Sequence, residues 1–89
     1  MNSKKFHEIL SEIDKIQNQN DIIIIKTTRA LGFKQIKGSL IQRIVFQLIL
    51  DDGIDTDDQY TRFRIKTLNG DVESVSITDI LQVEVKLNN

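Results

Sequence analysis

Ile22, Ile23, Ile24 and Ile25 stand in an unbroken row, and no other stretch limits the fold of this chain as strongly. Four β-branched side chains in succession are stiff at χ1 and favour extended backbone, and the run is too short for a helix of its own. Successive side chains of a strand point to opposite faces, so the run predicts a strand buried on both sides. It cannot cross a membrane. This run and the one from Ile44 to Leu50, broken by Gln47, are far shorter than the roughly 20 apolar residues that a spanning helix needs.

An apolar stripe that must be buried on some other element lies upstream. Phe6, Ile9, Leu10, Ile13 and Ile16 follow the 3, 4, 7 spacing of one helical face. They predict an amphipathic helix over 3–18, capped by Ser3 or Asn2, with Lys4, His7, Glu8, Ser11, Glu12 and Lys15 opposite and Asn18 to Asn20 as its polar exit. Glu8, Glu12 and Asp14 interrupt any apolar signal core behind Lys4 and Lys5. The 89 residues contain no cysteine, which removes disulfides, thiolate metal sites and cysteine nucleophiles. A cytoplasmic protein, one domain over 1–89 with its β-rich part at 21–88, is the expectation.

Beyond the isoleucines, Lys26 to Lys37 shows no clear period around Gly32 and reads as an irregular loop or distorted hairpin. Ser39 to Asp51 fits both a helical face and alternation; its β-branched and aromatic bulk, and Gly38 and Gly53 at its ends, favour a strand. As a strand it leaves Ile41, Val45 and Ile49 as a second apolar face, covered by the helix or by a second copy of the chain. Residues 60–67 alternate, with Phe63 and Ile65 on one side and Tyr60, Arg62, Arg64 and Lys66 on the other. Asn69-Gly70 then signals a hairpin turn, since both central residues of a type I′ turn need positive φ. Val72 to Ile77 is its partner strand, Thr78 to Ile80 a helical turn, and Leu81, Val83, Val85 and Leu87 the inward face of the last strand. The fold class is therefore α+β: a helix packed on a small five-stranded antiparallel sheet, bent or closed as an SH3-like barrel, an analogy of fold that carries no function.

Two segments carry a resemblance to a family. Ile36-Lys37-Gly38-Ser39-Leu40-Ile41-Gln42-Arg43-Ile44 and the later Ser76-Ile77-Thr78-Asp79-Ile80-Leu81-Gln82-Val83-Glu84 resemble the pattern of YolD-like proteins, small bacterial domains with a glycine-centred strand and a late Asp-Ile turn. The resemblance spans about half of the chain and implies a link to DNA-damage tolerance operons. It rests on structural rather than chemical residues, so it assigns no catalytic or binding role.

Catalytic chemistry finds little material. His7 is the single histidine, and Ser11 stands where a helical metal motif needs a second one. No serine sits in a nucleophile elbow, and Gly32, Gly38, Gly53 and Gly70 are too widely spaced for a phosphate loop. Five aspartates between Asp51 and Asp58 have the oxygen density that calcium favours, without the glycine at the sixth position and the glutamate at the twelfth of an EF-hand loop. The expectation is a solvated acidic loop, with no metal and no cofactor; a basic partner is a further option.

The basic residues are more informative. No acid interrupts residues 22–50, where Lys26, Arg29, Lys34, Lys37 and Arg43 occur. With Tyr60, Arg62, Arg64 and Lys66 they form a candidate surface for phosphate backbones or an acidic partner, unless the arginines meet Glu73 or Glu84 across neighbouring strands. The net charge of -1 hides this division: residues 1–50 hold eight basic and four acidic side chains, residues 51–89 four and nine. The halves carry +4 and -5. The expected function is a non-enzymatic binding or regulatory module, of the kind that phages and mobile elements carry, acting on a protein partner or on itself; nucleic-acid binding is the alternative.

Overall fold

In the computed structural model, which describes residues 3–88, one helix and seven strands follow each other: α1 (Ser3–Ile13), β1 (Ile22–Thr27), β2 (Gln35–Ile44), β3 (Gln47–Leu50), β4 (Gly53–Thr56), β5 (Arg62–Thr67), β6 (Val72–Ser76) and β7 (Ile80–Lys86). Single 3₁₀ turns at Arg29–Leu31, Asp58–Tyr60 and Ile77–Asp79 join some of them. Five strands form one sheet in the order β6-β5-β2-β1-β7, and β3 and β4 form a separate two-stranded ladder. Every pairing is antiparallel. The large sheet is open, with β6 and β7 as its edges.

The α1 stripe of Phe6, Ile9, Leu10 and Ile13 packs with Ile23, Ile25, Ile36, Phe63, Ile65, Val75, Ile77 and Ile80 in one core. The helix is shorter than 3–18. After Ile13 the ladder tightens to i→i−3 bonds, from Lys15 N–H to Glu12 and from Ile16 N–H to Ile13 (both 3.1 Å), and buried Asp21 then accepts the backbone N–H groups of Gln17 (2.6 Å) and Asn18 (3.1 Å). Ile16 still packs against the core from the turn that follows. Ser3 already belongs to the helix, and Asn2, the other expected cap, lies outside the described residues.

Burial of the isoleucine run is one-sided. Ile23 and Ile25 are fully buried, whereas Ile22 and Ile24 are half-buried on the face away from α1. The expected single strand over 39–51 is likewise corrected. Leu40 faces Ile65 and Gln42 faces Arg64, so Ile41 is the extra residue of a β-bulge, and the ladder stops at Ile44. Val45 and Phe46 lie outside both strands. No unbroken strand joins Ile41, Val45 and Ile49, all three are exposed, and α1 covers none of them.

At the end of the sheet a second bulge between Lys26 and Thr27 pairs Thr27 with Ile80. Ile80 therefore takes the buried place expected of Leu81, which is exposed, as is Leu87; Val83 and Val85 pack against the core as expected. Lys26 to Lys37 is the distorted hairpin of the two readings, with Gly32 at φ 78° and Phe33 at φ 53° in its turn. No helix among the described residues is long and apolar enough to cross a membrane.

Candidate interaction surfaces

Cross-strand partners share a face, so the registers sort every basic side chain of the sheet. Ile24 lies between Lys37 and Glu84, Lys26 between Gln35 and Gln82, and Ile22 opposite Lys86. Further along, Ser39 faces Lys66, Gln42 faces Arg64 and Ile44 faces Arg62. Since Ile23 and Ile25 point into the core, all of these occupy the opposite, outer face. Lys26, Lys37, Arg62, Arg64 and Lys66 are thus brought together there, all exposed, although they come from three strands.

Lys86 joins them, a residue that the sequence reading missed. The alternation of Gln82, Glu84 and Lys86 against Val83 and Val85 carried the signal, and only the pairing of β7 with β1 says which patch it enters. Glu84 is the one acid among these outer-face positions. The arginines do not meet Glu73 or Glu84. Arg62 Nε donates to Ser74 Oγ (3.3 Å) and Arg64 donates to Gln42 Oε1 (3.1 Å), both neutral partners.

The remaining expected site residues go elsewhere. Lys34 pairs with Glu73 at 2.8 Å, and Arg43, on the inner side of β2, reaches Asp14 beyond the end of α1 at 3.0 Å. Arg29 is exposed in the β1–β2 connection, as is Phe33 in the same turn. Tyr60 is not on the basic face: the 3₁₀ turn over Asp58–Tyr60 carries it to Phe46, their ring centroids 5.0 Å apart and tilted by 56°.

That ring pair marks the root of a second feature. β3 and β4 project as an arm from the adjacent ends of β2 and β5 and pack chiefly on each other. Asp51 and Asp52 form its tip, and Gly53 takes φ 146° behind them. Ile49 and Ile54 are directly opposed and point to one face, 86% and 67% exposed. Leu50, Phe46, Val45 and Ile44 extend the exposed apolar surface to the root. An isolated two-stranded hairpin is marginal in water, and this one exposes the side chains that should stabilise it.

Acid–base chemistry has no comparable centre. Among the described residues no three His, Cys, Asp or Glu side chains converge as a metal site. In the acidic segment, Asp57 accepts the backbone N–H and the side-chain amide of Gln59 (3.2 and 3.0 Å), a local cap. A cleft lined by Lys5, Glu8, Ile9, Glu12, Leu81, Gln82 and Val83 includes one engaged acid. Glu12 accepts from Lys15 Nζ (2.7 Å) and from the Val85 backbone N–H (3.1 Å), and these hydrogen bonds hold its carboxyl below the usual range. A carboxylate so held is a poor proton donor near neutrality. His7 is exposed on α1.

Comparison with protein-family models, with curated proteins and with solved structures finds no match to this chain.

Proposed function

We propose that the chain is a non-enzymatic binding module that docks on protein through the β3–β4 arm. The observation that carries this reading is the opposed pair Ile49 and Ile54, both strongly exposed on a hairpin whose strands pack chiefly on each other. Large contiguous apolar surface of this kind marks interaction sites in soluble proteins. Ile49→Asp combined with Ile54→Asp tests it. The variant keeps its far-UV circular dichroism and melts within about 2 °C of the parent, as exposed substitutions do, while photo-cross-links placed at residue 50 disappear. Undiminished cross-links overturn the reading.

Nucleic-acid binding is the second reading, favoured by the six cations that the registers gather on the outer face. Its signature is affinity for labelled DNA or RNA that falls steeply with salt; no binding at about 50 mM salt removes it.

For the fold we propose an open relative of the SH3-like barrels. A four-strand meander, a long bulged β2 and a 3₁₀ turn before the strand that returns to β1 support that comparison. The segments behind the YolD-like resemblance fall in β2 and in the turn leading to β7, so it stays a proposal about architecture and ancestry. A cytoplasmic location is proposed on the lack of cysteine.

A further inference from the structure

We propose that the arm docks on the basic outer sheet face of a second copy, and that two copies exchange arms reciprocally in a two-fold dimer. This rests on the reading of the arm as a protein-docking element and names its partner. The arm carries exposed Ile49 and Ile54 on one face, exposed Leu50 on the other, and the acidic pair Asp51 and Asp52 at its tip. The outer face offers the complement. Lys26, Lys37, Arg62, Arg64, Lys66 and Lys86 surround half-buried Ile22 and Ile24 and exposed Ile44 and Val72. Lys15, Lys34 and Arg43, which pair with Glu12, Glu73 and Asp14, lie off this face, and Arg62 and Arg64 hydrogen-bond there to neutral Ser74 and Gln42.

An arm does not serve its own sheet. Its root is fixed by the Phe46–Tyr60 ring contact and by the Asp57 N–H donated to the Phe46 carbonyl (3.4 Å), and beyond that root β3 and β4 pack chiefly on each other rather than on the sheet. A two-fold axis makes one arm-on-face contact into two. A stable interface buries roughly 1,600 Å² in total, and two such contacts share that requirement. The face also lacks an aromatic side chain: Phe63 points into the core and Tyr60 stays at the arm root. Base stacking, which supplies much of single-strand affinity, has no platform there.

Charge reversal gives the test, read by sedimentation velocity and light scattering. The parent chain is dimeric at about 50 mM salt and its dissociation constant rises about tenfold or more by about 500 mM, as opposed charges are screened. Arg62→Glu with Arg64→Glu makes the face acidic, and Asp51→Lys with Asp52→Lys makes the arm tip basic. Each doubly substituted chain alone is monomeric with unchanged circular dichroism. Mixed one to one, the two form a heterodimer, because each arm then meets a face of opposite charge. Dimers in either variant alone, or monomers in the mixture, overturn the proposal. A parent monomeric to about 100 µM, with cross-links from residue 50 to another protein, overturns self-docking and leaves the docking arm standing. Binding of labelled DNA that R62E/R64E abolishes and I49D/I54D leaves intact, in a monomeric parent, overturns it in favour of nucleic acid.

Discussion

Ile23 sits fully buried beneath α1, while its neighbour Ile24 stands half-covered between Lys37 and Glu84 on the other face. Ile23→Ala leaves a cavity and costs about 2–5 kcal/mol. Ile24→Ala, whose surroundings can collapse onto it, costs about 1 kcal/mol; urea midpoints of the two variants measure the difference. Asp21 shows the same dependence on place. Its carboxylate accepts from Asn88 (2.9 Å), Gln17 and Asn18, and these backbone hydrogen bonds, Asn88 first, lower its pKa against the desolvation that would raise it. A depressed folded pKa contributes stability above the unfolded value of about 3.9 and loses it as pH falls through the folded one. Asp21→Asn therefore lowers the urea midpoint at pH 7, and its deficit shrinks below about pH 4. A deficit that is the same at pH 3 and pH 7 contradicts the account.

At the scale of elements, Gly38 sets how closely β2 approaches β5. A Cβ there would run into the Lys66 carbonyl and lie 2.8 Å from Thr67 Cα, so Gly38→Ala forces the strands apart and costs about 1–3 kcal/mol, read as a fall in melting temperature. The helix, the isoleucine strand, the 62–67 alternation and the presence of a hairpin at Asn69-Gly70 were legible because each follows from a local period or a turn dipeptide. The turn is not the expected type I′, however: Gly70 is at φ 92° and Asn69 is not at positive φ, and the Gly70 N–H closes on the Thr67 carbonyl (2.9 Å). Residues 39–51 were not. A bulge at Ile41 and the break at Val45-Phe46 shift the alternation midway, and no local signal announces either. The basic face was half legible: sequence named Lys26, Lys37, Arg62, Arg64 and Lys66 among its candidates, but uniting them on one face, adding Lys86, and removing Arg29, Lys34, Arg43 and Tyr60, required the strand order. Pairing between distant strands is a long-range property, and a one-residue bulge is enough to change which face a side chain joins.

Over the whole molecule, the Cα radius of gyration of 13.6 Å and extents of 44 × 30 × 22 Å exceed the radius of about 12 Å expected of a compact chain this long. The projecting arm accounts for an elongated outline, and reciprocal exchange of arms would cover it. The chain contains no proline. Refolding from urea therefore shows no prolyl phase of tens of seconds, and a slow phase whose rate rises with protein concentration reports docking of two copies. Stopped-flow fluorescence of the single tyrosine, Tyr60, at the arm root follows both.

The pairing of β1 with β7, closed by the Asn88 N–H on Asp21 across 67 residues, orders events during translation. A ribosome delivers β1 early and β7 last, so the sheet edge beside Ile22–Ile25 stays open while everything between is made. The nascent chain carries its most apolar strand paired on one edge by β2 and open on the other until β7 has left the exit tunnel. Trigger-type chaperones that bind short apolar extended segments would find their docking sequence there, and release would coincide with arrival of the final strand.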